Sequence, residues 1–158
     1  MATALITPDQ DAVVAEIMIS APPDRVFQAI IDPQQVMQWW TGEDCRIEHF
    51  SMEPKVGGRW RYDTKQSKMN VNGVTKFHCD GEVLEFDPPR RVAYTWIANW
   101  HERPDQRTVV RWELTPSGSG TKVKITHSGL KGLPGSLKDY SGGWSGVAKS
   151  LKEFVEKH

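Results

Sequence analysis

The sequence predicts an α+β domain: a curved antiparallel sheet of six to seven strands wrapped around a long C-terminal helix, with two short helices after the first strand. Three observations predict it. Period-two patterning persists from Cys45 to Ser128, interrupted only by turns. One apolar stripe at helical spacing, Tyr140, Trp144, Val147, Ala148, Leu151, Phe154 and Val155, closes the chain. Near the N-terminus a strand-like run passes straight into two prolines and a helical pattern. Sequential strands with short turns make a meander, and a single amphipathic helix must bury its stripe against that meander.

The elements follow in order. Met1–Asp11 has no periodicity and is expected to be a flexible arm. Val13–Ser20 alternates as a strand, and Ser20 is the expected N-cap of a helix that begins at Pro22-Pro23 and carries Val26, Phe27, Ile30 and Ile31. Asp32 should cap a second helix from Pro33 to Trp39. Strands are then expected at Cys45–Phe50, Arg59–Asp63, Thr75–Phe86, Arg91–Asn99, Arg107–Thr115 and Thr121–Ser128. The segment His101–Gln106, with three charged residues, a histidine and a proline, reads as a solvated hairpin loop. The last helix should run from Pro134 to Glu156. Gly142-Gly143 in its first turns costs about 1 kcal/mol per glycine relative to alanine, which implies close approach of helix to sheet at that point.

Composition bounds the function. A chain of 158 residues is one domain, 1–158, able to bury roughly 70% of its unfolded surface without disulfide or metal support. Lys and Arg total 20 and Asp and Glu total 20, so the general attraction behind non-specific nucleic-acid binding is missing, and no polybasic membrane patch exists. No apolar run reaches membrane-spanning length, and the N-terminus has no signal-peptide pattern. Cys45 and Cys79 are too few for a disulfide scaffold or a thiolate zinc site. The expected compartment is the cytoplasm. No metal-ligand spacing, phosphate loop or nucleophile elbow is present, so no cofactor, metal or catalytic residue is expected.

Seven tryptophans stand against three tyrosines and five phenylalanines. Strand parity turns Trp60, Tyr62, Phe77, Cys79, Tyr94, Trp96, Trp112 and His127 inward, and the helix adds Trp144 and Val147. These ten form either a solid core or the wall of a hydrophobic pocket with a few polar handles. His127 ends an apolar face, so a core imidazole bonded to a backbone carbonyl and a polar handle are both open. His49 shares parity with Cys45 and Ile47 and is expected inward. His78, Asp80 and Glu82 share an outward face. Arg59, Arg61, Arg90 and Arg91 are expected in cross-strand ion pairs.

The ordered pieces Pro23-Asp24-Arg25-Val26-Phe27-Gln28-Ala29-Ile30, Asp32-Pro33, Trp39-Trp40, Val56-Gly57-Gly58-Arg59-Trp60, Gly81 through Val92, Tyr94-Thr95-Trp96, Gly120 through Val123, His127-Ser128-Gly129-Leu130 and Gly143-Trp144 resemble the START-like (SRPBCC) superfamily. Within it they are most similar to proteins related to the C-terminal domain of the heat-shock protein 90 ATPase activator. The resemblance covers about Glu16 to Val155 and implies the helix-grip fold. Three roles follow as expectations. The first is binding of a small hydrophobic or aromatic molecule under the C-terminal helix, without catalysis. The second is a co-chaperone-like interaction with a chaperone or other protein, linked to the stress response. The third is a cyclase- or dehydratase-type enzyme acting on a hydrophobic substrate. A monomer or a homodimer fits each role.

Overall fold

A computed structural model describes residues 2–42 and 44–158. The elements are β1 (Thr3–Ile6), β2 (Val13–Ile19), α1 (Pro23–Ile31), α2 (Pro33–Trp39), β3 (Ile47–Met52), β4 (Arg59–Thr64), β5 (His78–Asp87), β6 (Arg91–Ala98), β7 (Thr108–Ser117), β8 (Gly120–Ser128) and α3 (Pro134–Lys157). The strands form one curved antiparallel sheet in the order β1-β2-β8-β7-β6-β5-β4-β3. From β3 to β8 this is the expected meander; β2 then closes on β8, pairing Val13 with His127 through Ile19 with Thr121. The three helices cover one face. α3 packs across β2 and β1, with α1 and α2 beside it.

The sheet has eight strands because the expected flexible arm contains one. Thr3–Ile6 pairs antiparallel with Val13–Glu16, and Ala4 and Ile6 pack against the core. Four residues are too short a window for alternation to register, and the partner strand supplies what periodicity does not. The start of α1 also differs. Pro22 is the N-cap and makes no side-chain cap bond, while the backbone N–H of Ser20 is tied to Glu156 Oε2 at 2.8 Å. Asp32 does cap α2, accepting the Gln34 N–H at 3.1 Å.

Alternation along β2, β7 and β8 gives the buried sets Val13, Ala15, Ile17, Ile19; Val110, Trp112, Leu114; and Val123, Ile125, His127. The helices answer with Val26, Phe27, Ile30, Trp144, Ala148, Leu151 and Val155. A register shift between Ile47 and His49 on β3 overturns one expectation. The bulge puts Phe50 inward with Ile47 and leaves His49 exposed, because an extra residue reverses the parity beyond it. The arginines also pair differently. Arg61 bonds Asp63 two residues along its own strand and Arg90 bonds Asp87 within the turn; a different arginine, Arg111, pairs across strands, with Glu85.

Candidate functional site

The ten inward residues divide into a closed layer and a cavity wall. Trp60, Cys79, Tyr94, Trp112 and His127 are at most 1% exposed and belong to the core. Tyr62, Phe77, Trp96, Trp144 and Val147 line a cavity of about 760 Å³ that opens beside the N-terminal half of α3. Of the four inward tryptophans, Trp96 and Trp144 face the cavity, and no gap separates them from Trp112. Trp40, from the end of α2, packs against all three: its ring lies 6.1 Å from Trp96, 6.3 Å from Trp112 and 5.8 Å from Trp144. The cavity lies on the outer side of this cluster.

Several of its residues come from positions that strand parity does not reach. Trp40, Thr41, Gly42, Asp44 and Cys45 come from the connection after α2, Met69 and Val71 from the loop between β4 and β5, and Trp100 from the loop after β6. From α3 come Asp139, Tyr140, Gly142, Gly143, Gly146 and Ser150. A Cβ built on Gly142, Gly143 or Gly146 meets nothing within 4 Å. The close approach inferred from this glycine pair is therefore absent. The glycines instead leave a strip of bare helix backbone along the cavity mouth, so the helix gives up propensity and gains open space. Close approach occurs at Gly81, where a Cβ would lie 2.0 Å from the Thr95 carbonyl oxygen.

Beneath the cavity runs a network of buried polar groups. Trp144 Nε1 donates to His127 Nδ1 at 3.0 Å, so Nδ1 is the bare nitrogen of that imidazole. The proton therefore sits on Nε2, which donates to Thr108 Oγ1 at 2.8 Å, and Thr108 donates in turn to the Trp96 carbonyl at 2.7 Å. His127 is thus a core imidazole, but side chains rather than a backbone carbonyl hold it. Burial, with a smaller contribution from neighbouring His101, keeps its pKa well below the ordinary range. A second proton would also collide with the Trp144 N–H.

His101, expected in solvent, is 2% exposed. Its Nε2 lies 2.6 Å from Tyr140 Oη, which also accepts the Trp96 N–H at 3.0 Å. Tyr140 directs its own proton to His101, whose Nδ1 is buried without a partner among the described residues. Burial lowers the His101 pKa to about 4, against a weaker opposing pull from Glu102. Burial likewise raises the phenol of Tyr140 well above its ordinary value, so the hydroxyl stays protonated. One local signal could have flagged His101: it follows an aromatic, Trp100, that itself packs against Phe77 and Trp96.

Two other features carry less. His78 sits between Asp63 (2.6 Å) and Asp80 (3.2 Å) on the outer sheet face, away from the cavity as parity implied. A hollow of about 640 Å³ near the end of α3 is open, and its two aromatic rings, Phe154 and His158, are already stacked on each other, with the Arg25 guanidinium over Phe154. Among the described residues no group of histidine, cysteine and carboxylate side chains is arranged to hold a metal ion. Nor, among the described residues, is any helix long and apolar enough to cross a membrane.

The family model described as Activator of Hsp90 ATPase homolog 1-like protein matches residues 20–156, nearly the whole fold from the end of β2 to the end of α3. The chain belongs to that family. The family lies within the START-like (SRPBCC) superfamily, as the motif order implied. Solved structures agree in fold. A Rhodobacter sphaeroides protein aligns over 100% of both chains with a TM-score of 0.80 at 14% identity. MLL2253 from Mesorhizobium loti is 26% identical, covering 92% of this chain and 97% of that one, with a TM-score of 0.73. DynU16, a protein of the dynemicin biosynthetic locus, is 23% identical over 92% of this chain and 47% of that one, with a TM-score of 0.71. None of the curated proteins matches. The Activator of Hsp90 ATPase homolog 1-like fold is a known ligand-binding scaffold, and in this chain an aromatic-walled cavity opens beside α3.

Proposed function

We propose that this protein binds a small hydrophobic or aromatic molecule in the cavity beside α3, without catalysis. The observation that carries the reading is an open space of about 760 Å³ walled by Trp40, Tyr62, Phe77, Trp96, Trp100, Tyr140 and Trp144. Ligand sites are usually concave and apolar with few polar groups, and in size and lining this cavity is of that kind. Trp40 and Trp100 are only half-buried, so part of their apolar surface stays in water until something covers it. The hydrogen bonds of the inner polar groups support binding over catalysis: His127 and Tyr140 are held by indoles, and His101 Nε2 by the Tyr140 hydroxyl. A cytoplasmic location is part of the same proposal.

Fluorescence titration tests it. Fatty acids, sterols and aromatic polyketides are added in turn, and at least one class should change the tryptophan emission saturably. Val147→Trp, which places an indole in the cavity wall, should abolish the change while the circular dichroism spectrum stays native. A flat titration for every class moves the protein-interaction role to first place.

A further inference from the structure

The charge around the cavity decides what kind of molecule fits it, granted the binding reading above. Two ionised side chains line the space, Asp44 from the connection after α2 and Asp139 on α3, and both are acidic. Among the described residues no lysine, arginine or histidine lines it. Neither aspartate makes an ion pair with another described residue. Asp139 and the bare strip Gly142, Gly143 and Gly146 follow one another at helical spacing, so the carboxylate stands on the same edge of α3 as the open backbone.

Deeper in, among the described residues, no cation and no buried indole N–H is free to receive a negative charge, and the one buried donor without a partner, His101 Nδ1, does not line the cavity. The five buried indoles all commit their N–H groups to the protein: Trp39 to the Ala29 carbonyl, Trp60 to the Thr95 carbonyl, Trp96 to Tyr140, Trp112 to Tyr94 and Trp144 to His127. Both histidines beneath the cavity are neutral, and the His127 proton is held by Thr108. A carboxylate or phosphate would meet two like charges at the rim and no cation inside. A cation meets the reverse, two carboxylates outside and the negative π faces of Trp40, Trp100 and Trp144 within.

We propose that the ligand is a cationic aromatic amine, whose planar ring lies along the glycine strip of α3 and whose ammonium stays at the Asp44 and Asp139 rim. The rim carboxylates are exposed, so their attraction is modest and screened by salt. Together with a cation–π contact they should favour the cation over a neutral ligand of the same shape by about tenfold.

Calorimetric titration with three molecules of one skeleton isolates the charge: naphthylmethylamine, naphthylmethanol and naphthoate, near neutral pH and at low salt. The expected order is amine tightest and naphthoate weakest. The amine's advantage should shrink as salt is added and fall to its cation–π part in the Asp44→Asn, Asp139→Asn double variant, whose thermal melt should match wild type because both positions are exposed. Naphthoate binding as tightly as the amine, or an amine no tighter than the alcohol, overturns the cationic assignment; saturable binding of the alcohol in that case leaves the cavity reading standing. If none of the three binds saturably, the cationic assignment falls, while the cavity reading stands or falls on the fluorescence titration with fatty acids, sterols and polyketides.

Discussion

Two tryptophan clusters share one wall of this molecule and differ in what holds them. In the closed layer, Trp60 and Trp112 are at most 1% exposed, and each gives its N–H to a buried partner, the Thr95 carbonyl and the Tyr94 hydroxyl. At the mouth, Trp40 and Trp100 sit half-buried on connecting segments, packed edge or face against the same Trp96 that roofs the core. The difference teaches where stability and function part. An indole with its polar edge engaged and its faces covered serves the fold, whereas an indole with a face still in water has apolar surface to offer a ligand.

The contrast breaks most sharply under truncation. Trp112→Ala should lower stability by about 3–5 kcal/mol, since it opens a large void and leaves the Tyr94 hydroxyl without its donor. Trp100→Ala should cost much less, since the side chain already borders open space. Urea denaturation of the two variants measures this, and equal losses would show that mouth and core are one packing unit.

Acid probes the same boundary from the polar side. His101 and His127 are neutral in the folded protein, with pKa values pushed down by burial, while in the unfolded chain each would titrate near the ordinary 6.5. Between about pH 6.5 and 4 the unfolded state therefore binds more protons, and stability must fall as pH falls. For His101, lowered to about 4, the loss amounts to about 3 kcal/mol at 1.36 kcal/mol per unit. His127 adds in the same direction. Above pH 6.5 neither group contributes a slope. Melting temperatures across that window test it: His101→Leu should flatten the acid limb, and a curve as steep as wild type would show that His101 is not the group being protonated.

How much of this was legible in the sequence follows from where each residue sits. Strand and helix positions obey a period, so Trp60, Trp96, Trp112, His127 and Trp144 were placed inward from spacing alone. Trp40, Trp100 and His101 lie on connections, where no period exists, and the fold carries them inward through contacts with residues distant in sequence. His49 failed for a related reason, because a bulge changes parity without any glycine or proline to announce it. Whether the inward set encloses space or fills it was beyond parity altogether. That depended on where Trp40 lies.

The glycines give the smallest expected effect and the one with the least obvious sign. Gly81, between Asp80 and Glu82 on β5, and Gly143, before Trp144 on α3, have opposite surroundings. Gly81→Ala would drive a Cβ into the Thr95 backbone, displacing β5 from β6, and should cost about 1–3 kcal/mol or more. Gly143→Ala meets open space on a helix, so the alanine only removes backbone freedom from the unfolded chain and should stabilise by about 0.5–1 kcal/mol. The same methyl group stands on the bare strip at the cavity mouth, where a planar ligand would lie. A higher melting temperature combined with weaker ligand binding would mean that the glycine is kept for access rather than for packing. A lower melting temperature would restore close helix–sheet approach as its reason.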